Sequence, residues 1–336
     1  MKPILEKALG TEFEIFDLRD GNIHATVPII ESLTALSLSD NPEDSDIPFI
    51  PNSSYHMIRK LISGNHNFWL EGPAGSGKSS NVKQAAKSLK RPFYRINMNG
   101  HSTDEALIGA ARIKGDESTG QPTMYWLKGM LEKAMLEGLD DDGKVVGPAA
   151  VFLIDEFEAA PPETAFVLQR VLEPEKVLII DNDGGRMIKA HPEFVICAAG
   201  NTKGTGDIRG GYAGVNQVNF ATRDRFAFML TMDYDYPLEK RILTSVMNEK
   251  YHDKVDKMLA LAKAIRKANI DGAISFPMSI RRLVAWARGF EIFNSVGKSF
   301  LYAIGGFLED DQLNTVSELF QRTFGVRPDS DHDLLS

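Results

Sequence analysis

Cysteine is nearly absent. The 336 residues contain one, Cys197, so neither a disulfide nor a cysteine metal site can form within a single chain. Set in the apolar run Phe194-Val195-Ile196-Cys197-Ala198-Ala199, it reads as a buried strand thiol. Long apolar runs are missing too: no stretch approaches the roughly 18 residues of a membrane span. Met1-Lys2-Pro3-Ile4-Leu5-Glu6 lacks the apolar core of a secretory signal, so a cytoplasmic protein with no membrane partner is expected. His24, His56, His66, His101, His191, His252 and His332 form no i,i+4 pair and join no carboxylate cluster at ligand spacing, which argues against a protein-bound transition metal. Nor is positive charge in excess: 38 Lys and Arg face 46 Asp and Glu, for a net charge of −8. The first 50 residues alone carry ten acidic and three basic side chains. The remainder is nearly neutral and offers no basic stripe, so nucleic acid is not an expected partner. The acidic leader reads as a solvated arm.

What is present, in an ordinary globular composition sized for about two domains, is a complete phosphate-binding loop. Gly72-Pro73-Ala74-Gly75-Ser76-Gly77-Lys78-Ser79 follows the apolar run Phe68-Trp69-Leu70. Wrapping a β- and γ-phosphate in backbone N–H groups requires glycines at such close approach. Lys78 then reaches the phosphate oxygens, Ser79 offers a hydroxyl to Mg²⁺, and the helix that begins here, with Ser80 in its first turn, points its positive end at the anion. ATP and Mg²⁺ are the cofactors this implies.

Val151-Phe152-Leu153-Ile154-Asp155-Glu156 is an apolar strand ending in two carboxylates. Joined to the upstream loop, the pattern assigns Asp155 to the Mg²⁺ shell with Ser79 and Glu156 to polarising a water for attack on the γ-phosphorus. Asn201, at the end of another apolar strand, is an amide suited to orienting that water. Arg223 and Arg225 precede the last strand signal; a guanidinium reaching a neighbouring subunit's phosphate stabilises phosphoryl transfer. Arg281 opens a later helix and is a candidate phosphate contact from that side, whereas Arg282 fits an exposed helix position better. Tyr125 and Trp126 read as packing residues.

Strand-like runs at 67–71, 93–98, 149–154, 194–200 and 226–231 alternate with helical patterns such as 79–90 and 163–173, the mark of a parallel sheet with helices on both faces. The expected fold is therefore α/β, an αβα sandwich on a five-stranded parallel sheet, followed by a helical lid with helix-period stretches at 254–268, 280–292 and 312–324. The implied domains are an acidic leader (1–46), the nucleotide-binding domain (47–236), the lid (237–326) and a disordered tail (327–336). Two hairpins interrupt the alternation. One spans 176–189 around Asp181-Asn182-Asp183-Gly184-Gly185, and the other lies within 110–126, splitting what would be one helix into 103–109 and 127–136.

Taken together, these motifs resemble the AAA+ ATPases, specifically the MoxR-like and chelatase branch and, within it, the cobaltochelatase ATPase subunits. The resemblance runs over about residues 47 to 295. It is carried by Asp155-Glu156-Phe157-Glu158-Ala159, Gln169-Arg170-Val171-Leu172-Glu173, His191-Pro192-Glu193-Phe194 and, most specifically, Ala199-Gly200-Asn201-Thr202-Lys203-Gly204-Thr205-Gly206-Asp207 running on to Tyr212-Ala213-Gly214-Val215-Asn216-Gln217 and Arg223-Asp224-Arg225-Phe226. It implies that Asn201 is sensor 1, Arg225 the trans-acting arginine finger and Arg281 sensor 2, and that both hairpins face the channel of a homo-oligomeric ring, a hexamer. It also implies a partner bearing a von Willebrand A domain, and a client complex such as the cobaltochelatase that inserts Co²⁺ into a corrin. Phe226 stands where the chelatase subunits typically have tryptophan, and Arg223 is an extra arginine. Two other functions fit the residues: a nucleotide-gated assembly module with little turnover, and a DNA-dependent motor.

Overall fold

The computed structural model describes residues 49–100, 102–115, 122–206 and 216–330. The acidic leader, the tip of the 110–126 insert, residues 207–215 and the end of the expected tail (331–336) lie outside the described residues. The chain divides between Ile50 and Pro51, and everything below concerns the second unit.

Strand β1 (Phe68–Glu71) runs into the phosphate loop and helix α1 (Lys78–Ser88), which crosses to β2 (Phe93–Asn97). β5 (Val151–Asp155), β8 (Val195–Gly200) and β9 (Phe228–Thr231) complete a five-stranded sheet of order β2-β5-β8-β1-β9, parallel throughout. β5 and β8 are buried along their whole length, which explains why both read as unbroken apolar runs instead of alternating ones. This order places the carboxyl ends of β1, β8 and β5 side by side, with Glu71 opposite Gly200 and Ile154 opposite Ala198. Residues far apart in sequence meet there, as ligands do at the carboxyl edge of parallel sheets.

Both expected hairpins form. β3 (Gly109–Gly115) pairs antiparallel with β4 (Pro122–Lys128), and β6 (Val177–Ile180) with β7 (Arg186–Lys189). The first leaves Ile113 and Met124, which face each other across the strands, each 71% exposed. Trp126 packs as expected and donates its indole N–H to Glu132 Oε2 at 3.0 Å. Tyr125 does not: it is exposed, because strand alternation turns it away from the face that Trp126 occupies.

The lid consists of helices α2 (Tyr236–Val246), α3 (Val255–Ile270), α4 (Ile280–Phe293), α5 (Val296–Ala303) and α6 (Asp310–Phe324). Its core gathers on Trp286, which is edge-on to Phe290, Phe300 and Phe324 and donates to the Val296 carbonyl at 2.9 Å. The packed chain continues beyond the expected end at 326. Ser330 closes a turn onto the Arg327 carbonyl, and buried Pro328 lies so close to Gly297 that a Cβ there would fall 2.0 Å from its carbonyl oxygen. Among the described residues no helix is long and apolar enough to cross a membrane.

Candidate functional site

The loop from Gly72 to Ser79 turns between β1 and α1 in a shape that glycine permits. Gly75 (φ +76°) and Gly77 (φ +88°) occupy the left-handed region, where a side chain is strained. Lys78 is buried, and its ammonium donates to the Gly72 carbonyl (2.5 Å), the Pro73 carbonyl (3.1 Å) and Asn201 Oδ1 (3.2 Å). Burial pushes it down to about 8; Asp155, Glu158 and Glu71 pull the other way, and Arg281 adds to the lowering. Ser76 Oγ is buried with no hydrogen-bond partner.

Ser79 donates its hydroxyl to Asp155 Oδ2 at 2.5 Å. The sheet order accounts for this meeting, since β5 ends at Asp155 two strands from the loop. Arg95, on edge strand β2, places Nη2 2.6 Å from the same carboxylate oxygen. Sequence reasoning missed Arg95, because only the strand order reveals that its side chain shares a face with Asp155; the period-two spacing of Arg95 and Asn97 was the available signal.

Glu156 follows in the left-handed conformation (φ 53°, ψ 39°) and is exposed, a sparsely populated state for a residue with a side chain. Asn201 is doubly held: its side chain accepts from Lys78, and its backbone N–H donates to Glu158 Oε2 at 2.8 Å. The lid reaches the loop through Ser279, against which any Cβ at Gly75 would lie 2.6 Å from the serine Cβ. Arg281, exposed two residues further on, makes its charge felt at Lys78. Arg282 instead lies over the Phe307 ring at 3.8 Å, a packing role. Tyr234, also missed in sequence, donates its hydroxyl to the Ala74 carbonyl at 3.0 Å.

The structure thus brings together residues 72–79, Asp155 and Asn201, with Glu156 exposed and next to Asp155 in the chain and Arg281 near enough to act electrostatically. Arg225 is engaged elsewhere in its own chain: it pairs with Glu173 Oε1 (3.1 Å) and donates to the Ala221 carbonyl (2.6 Å). Arg223 donates to the Lys203 carbonyl at 3.1 Å. Phe226, Phe157 and Trp69 pack mutually edge-on, so phenylalanine fills that aromatic cluster.

A nucleotide fits this cradle. An ammonium held only by carbonyl and amide oxygens, a buried orphan hydroxyl at Ser76 and left-handed glycines that turn the loop are complementary to a polyphosphate. The paired hydroxyl and carboxylate of Ser79 and Asp155 are hard oxygen donors of the kind Mg²⁺ takes, one or two from protein and the rest from phosphate and water.

A family model described as AAA domain (dynein-related subfamily) matches residues 67–226. The aerobic cobaltochelatase subunit CobS of Sinorhizobium sp is 31% identical over 277 residues, covering 81% of this chain and 76% of that protein. The chain belongs to the AAA+ ATPase family. Within that family it is of the CobS and MoxR-like type. An uncharacterized protein of Staphylococcus haemolyticus is 28% identical over 234 residues, or 69% of this chain and 81% of that one. Among solved structures, a mutant of Thermotoga maritima RuvB is 13% identical, with a TM-score of 0.45 across 84% of this AAA+ chain and 85% of that one, a likeness too loose to bear on function.

Proposed function

We propose that this AAA+ protein is a Mg²⁺-dependent ATPase that works as a homo-oligomeric ring, a hexamer, and spends hydrolysis on remodelling or activating a partner complex. The observation that supports it best is the meeting of Ser79 and Asp155 at 2.5 Å beside Lys78 and Asn201, with Glu156 next in the chain. In this reading Lys78 and the loop N–H groups, with Ser80 at the start of the helix, hold the β- and γ-phosphates. Ser79 and Asp155 hold the cation, which when bound neutralises charge on the phosphate oxygens. Glu156 takes the proton of the attacking water, Asn201 orients that water against the γ-phosphate, and Arg281 contacts phosphate from the lid. Arg225 acts on a neighbour's nucleotide, exchanging Glu173 for phosphate oxygens on assembly. The likeness to CobS makes cobalt insertion into a corrin the leading candidate task, in company with a von Willebrand A domain partner, and the soluble setting of such work favours the cytoplasm.

Nucleotide binding and phosphate release by point variants test the reading. Lys78→Ala is expected to abolish binding. Glu156→Gln is expected to keep it and to lose turnover by about 10²-fold or more. Arg225→Ala is expected to leave affinity nearly intact and to remove assembly-dependent turnover. Equal loss of binding in Lys78→Ala and Glu156→Gln contradicts the role of Glu156. A wild type no faster than Glu156→Gln favours a nucleotide-gated assembly module, and stimulation of turnover by DNA revives a DNA-dependent motor.

A further inference from the structure

Glu158 is 2% exposed, in the 3₁₀ turn Phe157–Ala159 that follows Glu156, and every donor it meets comes from the segment after β8. Its Oε2 accepts from the N–H groups of Asn201 (2.8 Å) and Thr202 (3.1 Å). Its Oε1 accepts from those of Thr202 (3.2 Å) and Gly204 (2.8 Å), and from the Thr202 hydroxyl. The fit leaves no room for a side chain at Gly200, where a Cβ would lie 2.7 Å from the Glu158 carboxyl carbon. From the opposite side Arg223 holds the Lys203 carbonyl, and its Cδ would be 2.6 Å from a Cβ at Gly204. The Gly204 carbonyl also accepts from the Val218 N–H at 3.0 Å, but the N–H groups of Asn201, Thr202 and Gly204 all converge on the one buried carboxylate.

We propose that Glu158 is a positioning residue for Asn201: its carboxylate gathers the N–H groups of 201–204 and so fixes where the Asn201 amide stands against Lys78 and the γ-phosphate. The proposal rests on the ATPase reading above. An ionised acceptor suits the task because charge-assisted hydrogen bonds are short and strong in a dry site. An amide in its place must turn an NH₂ toward backbone donors, leaving some of them unpaired. The side chain of Asn201 has only two rotatable bonds, so the place of its amide follows the backbone that Glu158 holds.

A double-mutant cycle on the full-length protein distinguishes positioning from general structural support. Glu158→Gln, Asn201→Ala, their combination and wild type are compared for phosphate release and for binding of fluorescent ADP and ATP. Glu158→Gln is expected to lower kcat by about tenfold while KM and ADP affinity stay within about twofold. Asn201→Ala is expected to do the same, and the double variant to be no slower than the slower single one. Thr202→Val, which removes the hydroxyl that donates to Glu158 and accepts from the Gly204 N–H at 3.1 Å, is expected to lower kcat by about threefold, and this effect should vanish in the Asn201→Ala background. If Glu158→Gln does not fold, the cycle of Thr202→Val with Asn201→Ala decides alone. Losses that multiply, or a Glu158→Gln protein with wild-type kcat, overturn the proposal. A wild type that binds ATP without turnover overturns the ATPase reading instead, and the ratio of ATP to ADP affinity, taken through the same cycle, then judges Glu158.

Discussion

Lys78 carries its charge into a pocket where it donates to two carbonyl oxygens and the Asn201 amide, and burial, outweighing the pull of Asp155, Glu158 and Glu71, brings its pKa from 10.5 down to about 8. A bound triphosphate supplies an anion and raises it again, so above pH 8 the complex holds a proton that the free protein lacks. Nucleotide affinity is therefore expected to be flat below about pH 8 and to weaken above it, by about tenfold per pH unit at the limit. Stability moves the other way. Between about pH 8 and 10.5 the unfolded chain keeps a proton on Lys78 that the nucleotide-free fold has lost, so the fold gains stability as pH rises. Titrating a fluorescent ATP analogue from pH 7 to 10 checks the first statement, and unfolding of wild type and Lys78→Met over the same range checks the second. The motif residues were legible one by one, because the phosphate loop and the Asp155-Glu156 strand end demand particular side chains at particular spacings. Arg95, Glu158 and Tyr234 were not, since each acts on a partner at least about forty residues away.

Two elements, the phosphate loop and the lid helix opened by Ser279, touch at Gly75. Gly75→Ala puts a side chain into a left-handed backbone, at a cost of about 1–2 kcal/mol, and drives a Cβ to 2.6 Å from that of Ser279. Nucleotide affinity is expected to fall at least about tenfold, and Gly75→Ala/Ser279→Gly to recover part of the loss; binding assays on both variants decide. The alternation of strands and helices was readable because its periods differ, and the Asp-Asn-Asp-Gly-Gly run announced its hairpin. Helices Tyr236–Val246 and Val296–Ala303 escaped notice for opposite reasons. The first starts with Asp235 capping Leu238 and a proline in the first turn, a start signal placed where a domain boundary was expected. The second contains Gly297, a poor helix former whose place is dictated by Pro328 packing on it.

Across the whole molecule, a buried ion pair between two lid helices connects to the phosphate loop through Tyr234. Arg266 binds Glu239 through both carboxylate oxygens (2.8 and 2.7 Å), donates to the Met278 carbonyl (2.7 Å) and lies 3.6 Å from the centre of the Tyr234 ring. Tyr234 in turn holds the Ala74 carbonyl. Burial pushes the Glu239 carboxyl above its ordinary range while Arg266 pulls it down, so the acid is costly without its partner. Arg266→Leu is expected to destabilise the fold by about 3–5 kcal/mol and to weaken nucleotide binding through Tyr234. Arg266→Leu/Glu239→Leu, which removes both charges, should regain much of the stability in urea unfolding without restoring the Tyr234 contact.

Chemistry was written into local runs of residues: a loop that wraps phosphate, an acidic strand end, an amide after an apolar strand, arginines at helix and strand starts. These need no knowledge of distant neighbours, because backbone conformation and side-chain type act over a few residues. Which groups meet was settled by the order of the strands in space. Inserting β5 and β8 between β2 and β1 brings Asp155 to Ser79 and Arg95, Asn201 to Lys78, and the segment after β8 onto the Glu158 carboxylate. Periodicity reveals that a strand exists, but its neighbours are chosen by the packing of the entire core.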